Sequence, residues 1–90
     1  MKRVHLDASF ASAPAVYAKL AKDLDLGPDF GNNLDALWDR LSRDVPGPFE
    51  IVWRDSTQAR AQLGAAYTGF EKLFRDLETE RPDFRFRAEA

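Results

Sequence analysis

The sequence predicts a small α/β fold, a three-stranded parallel sheet packed with about four helices. Three observations lead there. Short strand-like segments at Lys2 to Asp7, Phe49 to Trp53 and Phe84 to Arg87 are separated by long stretches of helical periodicity. Two helical stretches lie between each consecutive pair of strands, the order that gives parallel neighbours joined by right-handed crossovers. The 90 residues, 44% hydrophobic and 12% aromatic, suffice for one core and not for two. A single domain over residues 1–90 is therefore expected.

In the first strand Val4 and Leu6 alternate with Arg3 and His5. His5 is the only histidine and has no base or metal partner in view, so it reads as a surface residue. Ser12 can cap the first helix, with Pro14 in its first turn and Val16, Tyr17, Leu20 and Leu24 on its buried side. Gly27 and Pro28 stop it. In the loop GPDFGNN, Phe30 is read as the apolar residue that pins the segment to the body, and Asn33 as the N-cap of a second helix ending near Asp44.

The run VPGP then forces a turn. FEIVW, residues 49–53, is nearly continuous in apolar character, which suits a strand covered on both faces or at the sheet centre, with Trp53 in the core. Asp55 or Ser56 can cap a third helix carrying Ala59 and Leu63, and Gly64 breaks it. A fourth helix runs from about Ala66 to Glu80 on a stripe of Phe70, Leu73, Phe74 and Leu77. Pro82 ends it, and Phe84 and Phe86 alternate with Arg85 and Arg87 in the last strand.

Composition narrows the function. A net charge of −2 argues against a general nucleic-acid-binding surface. The absence of cysteine excludes disulfides and thiolate zinc sites and points to the cytosol. MKRVHLDASF has no apolar run behind its basic residues, so it does not read as a signal peptide, and no window approaches transmembrane length. Catalytic constellations are equally missing: there is no cysteine nucleophile, no histidine pair and no glycine-rich phosphate loop. Asp35 and Asp39 on an exposed convex helix lack the pocket that acid–base work needs, and the spacing of Asp29, Asp35 and Asp39 matches no calcium loop. No cofactor is expected.

The charge is unevenly spread. Between Asp23 and Asp44 lie six aspartates against only Arg40 and Arg43. At about 100° per residue, Asp35, Trp38, Asp39 and Ser42 share one helical face, while Leu34, Leu37 and Leu41 fall on the neighbouring, core-directed one. Like charges four residues apart cost a helix roughly 0.2–0.5 kcal/mol, so stability does not ask for Asp35 beside Asp39. An indole flanked by acids suits a surface that meets a cationic partner. A blander alternative has Asp35 favouring the helix dipole, Asp39 pairing with Arg43, and Trp38 lying flat on the core.

GNNLDALWD, preceded by an aromatic and followed by a short helix end, a Pro and a strand ending in Trp-Arg, resembles the barstar family, intracellular inhibitors of the bacterial ribonuclease barnase. The resemblance covers nearly the whole chain, through FEIVWRD to the FRD of the fourth helix. It implies inhibition by occlusion, the second helix and the loop before it plugging the ribonuclease active site. Carried over, Asp39 is the central carboxylate, standing where a substrate phosphate would sit and accepting hydrogen bonds from the enzyme's cations. Asp35 adds a second carboxylate at the rim. Gly31, Asn33, Leu34, Trp38 and Ser42 line the rest of the contact, and Asp76 matches an outlying acidic position.

Three departures accompany these matches: Asp29 and Phe30 stand where a well-known member has Tyr, and Asp44 where it has Trp. The barnase–barstar pair is itself a reference case for hot spots and electrostatic steering, so that logic comes with the resemblance. The expected function is a cytoplasmic, monomeric antitoxin or immunity protein that forms a 1:1 heterodimer with a basic, extracellular-type ribonuclease. It would contact neither nucleic acid nor membrane. The alternative is a module of the same fold that recognises a different cationic partner, such as another class of nuclease toxin.

Overall fold

All five residues of the strand Phe49–Trp53 are buried, and the sheet is arranged around it. The computed structural model describes residues 1–90. In chain order it contains β1 (Lys2–Leu6), α1 (Ala13–Leu24), α2 (Leu34–Asp39), β2 (Phe49–Trp53), α3 (Ser56–Leu63), α4 (Ala65–Glu80) and β3 (Phe84–Ala88). A π-helical turn, Arg40–Asp44, continues α2 without a break. β2 is the central strand, parallel to β1 on one side and β3 on the other. The predicted α/β architecture is the observed one.

Strand alternation decides which face the helices cover. Val4, Leu6, Phe49, Ile51, Trp53, Phe84 and Phe86 are buried in one core with the apolar stripes of the helices. On the opposite face the register aligns Arg3 with Glu50 and Arg85, and His5 with Val52 and Arg87. Of the two placements expected for FEIVW, covered on both faces or at the sheet centre, the second is observed. Glu50 and Val52 are buried although their outer-strand neighbours Arg3, His5, Arg85 and Arg87 are exposed. Arg3 reaches across the ladder to Glu50, its Nε donating to Glu50 Oε1 at 2.6 Å.

Two helix ends differ from the sequence reading. α1 opens as expected, Ser12 Oγ accepting from the Ala15 N–H at 3.3 Å. It ends before Gly27, with Asp25 in the left-handed region at φ 55°, a conformation whose cost Asp tolerates better than most residues. At α3 Asp55 holds the cap position with φ 54°, but its side chain makes no capping bond, and Ser56 is already helical and buried.

The core is strongly aromatic. Trp53, fully buried, lies 4.8 Å from Tyr67 and 5.9 Å from Phe70 between ring centroids, and Phe70 reaches Tyr17 of α1 at 5.0 Å. These rings tie β2 to α4 and α4 to α1. His5 is exposed on β1. No helix is long and apolar enough to cross a membrane.

Candidate functional site

The acidic helix is held at its start by the loop before it. Phe30 is buried against Tyr17, 6.1 Å between ring centroids, and pins the loop as its sequence position suggests. Arg40 reaches back from the π-helical turn so that Nη1 donates to Leu26 O, which fastens the loop to the helix it precedes. Asn33 then caps α2: its Oδ1 accepts from the Ala36 N–H at 2.8 Å while its Nδ2 donates to Gly31 O at 3.2 Å. A Cβ on Gly31 would stand 3.3 Å from Asn33 Nδ2 and 3.4 Å from the Ala36 methyl. Glycine at this position leaves room for the capping amide, which a side chain would press by a few tenths of an ångström.

α2 turns Leu37 into the core, and Leu41 follows it there from the π-helical turn, both fully buried. Leu34 does not join them. It stays 38% exposed in the first turn, its Cδ1 3.0 Å from where a Cβ of Gly69 would lie. The correction has a geometric reason: Leu34 sits where α2 crosses a glycine of α4, so it rests on that helix instead of passing beneath it.

Asp35 and Asp39 are exposed on either side of Trp38, which is half-buried against the core. Asp35 makes no ion pair, and Asp39 has only Arg43, 3.6 Å from Oδ1 to Nη2 with both groups largely exposed. Parts of both sequence readings therefore coexist. Trp38 does lie on the core and Asp39 does pair with Arg43, yet an exposed pair of this kind contributes about 0–1 kcal/mol and holds the carboxylate weakly.

The convex helix foreseen from the sequence is bounded by a concavity. A cavity of about 320 Å³ lies between α2 and α4, lined by Leu34, Asp35, Trp38, Gly69, Lys72, Leu73 and Asp76. It brings together four of the eleven sequence-named contact residues, Asp76 from α4 among them, with Asp76 Oδ2 held by Lys72 Nζ at 2.9 Å. Asp29, Gly31, Asn33, Asp39, Ser42 and Asp44 lie along the same segment but outside the cavity, and Phe30 faces inward. Ser42 Oγ donates to Asp39 O at 3.4 Å, and Asp44 faces Arg40 at 3.8 Å.

Gly69 and Lys72 were not singled out from the sequence, and Leu73 was expected only as a core residue of the fourth helix, not as part of the site. The signal for one of them was present: a lone glycine inside a well-formed amphipathic helix usually marks a close approach by something else. Nothing local identifies Lys72 or Leu73, because their role is set by α2 crossing overhead. No group of three or more acidic, His or Cys side chains converges on a point that could hold a metal ion. The face offers separated, solvated carboxylates around an indole and a shallow apolar groove, which equips it to receive cationic side chains with apolar stems. The family model described as Barstar (barnase inhibitor) matches residues 1–89.

Proposed function

The chain belongs to the barstar family of barnase inhibitors, and from that premise we propose that it is an intracellular inhibitor of a barnase-like bacterial ribonuclease. It acts by binding and not by catalysis. The inhibitor lays α2 and the preceding loop into the cationic cleft that the enzyme uses for RNA. Asp39 occupies the place of a substrate phosphate, Asp35 and Asp76 take up cations at the rim, and Trp38 with Leu34 covers their apolar stems. Gly31 and Asn33 shape the loop edge, and Ser42 with the π-helical turn completes the contact. Asp29 and Asp44 add charge at its margins, and Phe30 supports the loop from below.

One observation carries the reading. The carboxylates of Asp35 and Asp39 flank Trp38 on one exposed face, and the chain's own cations leave them uncommitted, the nearest pair being Asp39 with Arg43 at 3.6 Å. Little intramolecular energy is lost when a partner's guanidinium replaces Arg43. Much is gained when that group is desolvated against Asp39. The long-range field of the acidic segment draws the basic enzyme in before contact.

In this role the protein is a cytoplasmic antitoxin or immunity protein, a monomer that forms a 1:1 heterodimer and needs no cofactor. The test is inhibition of a panel of barnase-like and unrelated microbial ribonucleases by wild type and Asp39→Ala. Inhibition by the wild type, weakened by several kcal/mol in the variant, is expected. This is the size that close charge pairs reach in the barnase–barstar complex, the reference case for the effect. Inhibition that survives Asp39→Ala would refute the mechanism. A second reading, a different cationic partner such as another class of nuclease toxin, draws on Asp29 and Asp44. Both are exposed charges where a known member presents aromatic rings.

A further inference from the structure

The far end of the acidic segment is held from a distant part of the chain. The Val45 N–H closes the π-helical turn on Arg40 O at 3.2 Å, and beyond it Pro46 and Pro48 supply no N–H groups. The last carbonyls of the turn would otherwise be left to water. Arg81, just past α4, fills that place. Its Nη1 donates to Leu41 O at 2.8 Å and to Val45 O at 2.7 Å. Its Nε and Nη2 donate to Asp83 Oδ1 and Oδ2 at 3.0 and 2.8 Å, and its guanidinium carbon lies 4.9 Å from the Phe49 ring centre. With every guanidinium nitrogen engaged and only 15% of the side chain exposed, Arg81 is a structural joint. Gly47 fits against it because a Cβ there would fall 1.7 Å from Asp83 Oδ2.

We infer that Arg81 is a positioning residue for the partner-binding face. It fixes the π-helical turn, and with it Ser42, Asp44 and the Asp39 end of α2, at a set angle to the Asp35 end. The inference rests on the proposal that this face meets the partner, but the joint itself is a property of the unbound chain. A planar fork is required. One ammonium cannot bridge two carbonyls and also hold a carboxylate at two points, so lysine does not replace it.

Hydrogen exchange and binding test the two halves separately. In Arg81→Lys, exchange at the Val45 N–H is expected to accelerate about tenfold or more, and by a clearly larger factor than at the Ile51 N–H of β2, which follows global unfolding. Affinity for an inhibited barnase-like ribonuclease is expected to fall roughly tenfold through lost preorganisation. That loss should shrink when Asp39→Ala is already present and persist beside Asp35→Ala, a pattern that general destabilisation would not give. Asp83→Asn, which leaves the arginine and loosens its seat, should shift both readouts in the same direction by less.

Unchanged exchange at Val45 in both variants would overturn the joint. A loosened turn with unaltered affinity, or equal losses in the two double variants, would overturn its link to binding. Should the wild type inhibit no ribonuclease, the functional proposal fails while exchange still decides the joint.

Discussion

Gly69→Ala should raise the stability of the protein slightly, although it places a methyl group directly under Leu34. Inside a helix, Ala is favoured over Gly by about 0.8–1 kcal/mol because the glycine backbone loses more freedom on folding. Against this stands one tight contact, the new Cβ lying 3.0 Å from Leu34 Cδ1. The atom in the way is the tip of a flexible side chain that is already 38% exposed, so a shift of a few tenths of an ångström relieves it. An imperfect rotamer costs about 0.5 kcal/mol at the low end. The helix term wins by roughly 0.5 kcal/mol, which for a domain of this size raises Tm by about 2–4 °C. Thermal unfolding followed by circular dichroism, with urea denaturation alongside, measures it. A destabilisation of more than about 1 kcal/mol would mean instead that Leu34 is locked in place and that α2 cannot adjust over α4.

Asn33→Ala removes the Ala36 N–H capping bond and should cost about 1 kcal/mol in urea denaturation; a change near zero would mean that solvent satisfies that N–H as well as the side chain does. Hydrogen bonds from Arg81 hold the Asp83 carboxyl below its ordinary value. The contribution of this group is therefore complete above the unfolded pKa of about 3.9 and lost as pH falls through the lower folded value. Wild type and Asp83→Asn should accordingly differ in unfolding midpoint by a constant amount above about pH 5 and converge below it. A gap that persists unchanged to pH 2 would remove Asp83 ionisation as its cause. Association with a basic ribonuclease should slow as salt is raised across the range in which the Debye length falls from about 30 to 8 Å. A rate indifferent to salt in stopped-flow mixing would contradict steering by the acidic segment.

Local chemistry made the order of elements legible, because each rests on a repeat or a stop signal within a few residues. Asn33 marks a helix start whatever surrounds it, and the alternation in Phe84 to Arg87 marks a half-buried strand whatever it pairs with. The ends of α1 and α3 were less legible: Asp25 closes α1 in a left-handed conformation ahead of the more obvious stop at Gly27, and Asp55 holds the cap position named for it but in a left-handed conformation without a capping bond. At the functional face, the 3.6-residue period placed Asp35, Trp38 and Asp39 side by side. It also assigned Leu34 to the core, because a helical repeat ranks positions around one axis and carries no information about the helix that crosses it.

The strand and helix order, the apolar stripes, the acid-flanked indole and the motif shared with the barstar family are all written in local stretches of the chain. Folding alone brings Leu34 over Gly69, Asp76 into a cavity with Asp35, and Arg81 onto the turn that follows Asp39. These contacts join residues some 35 to 41 positions apart. Such pairs leave no periodic trace in the sequence, because their geometry comes from how α2 and α4 stack on the same face of the sheet.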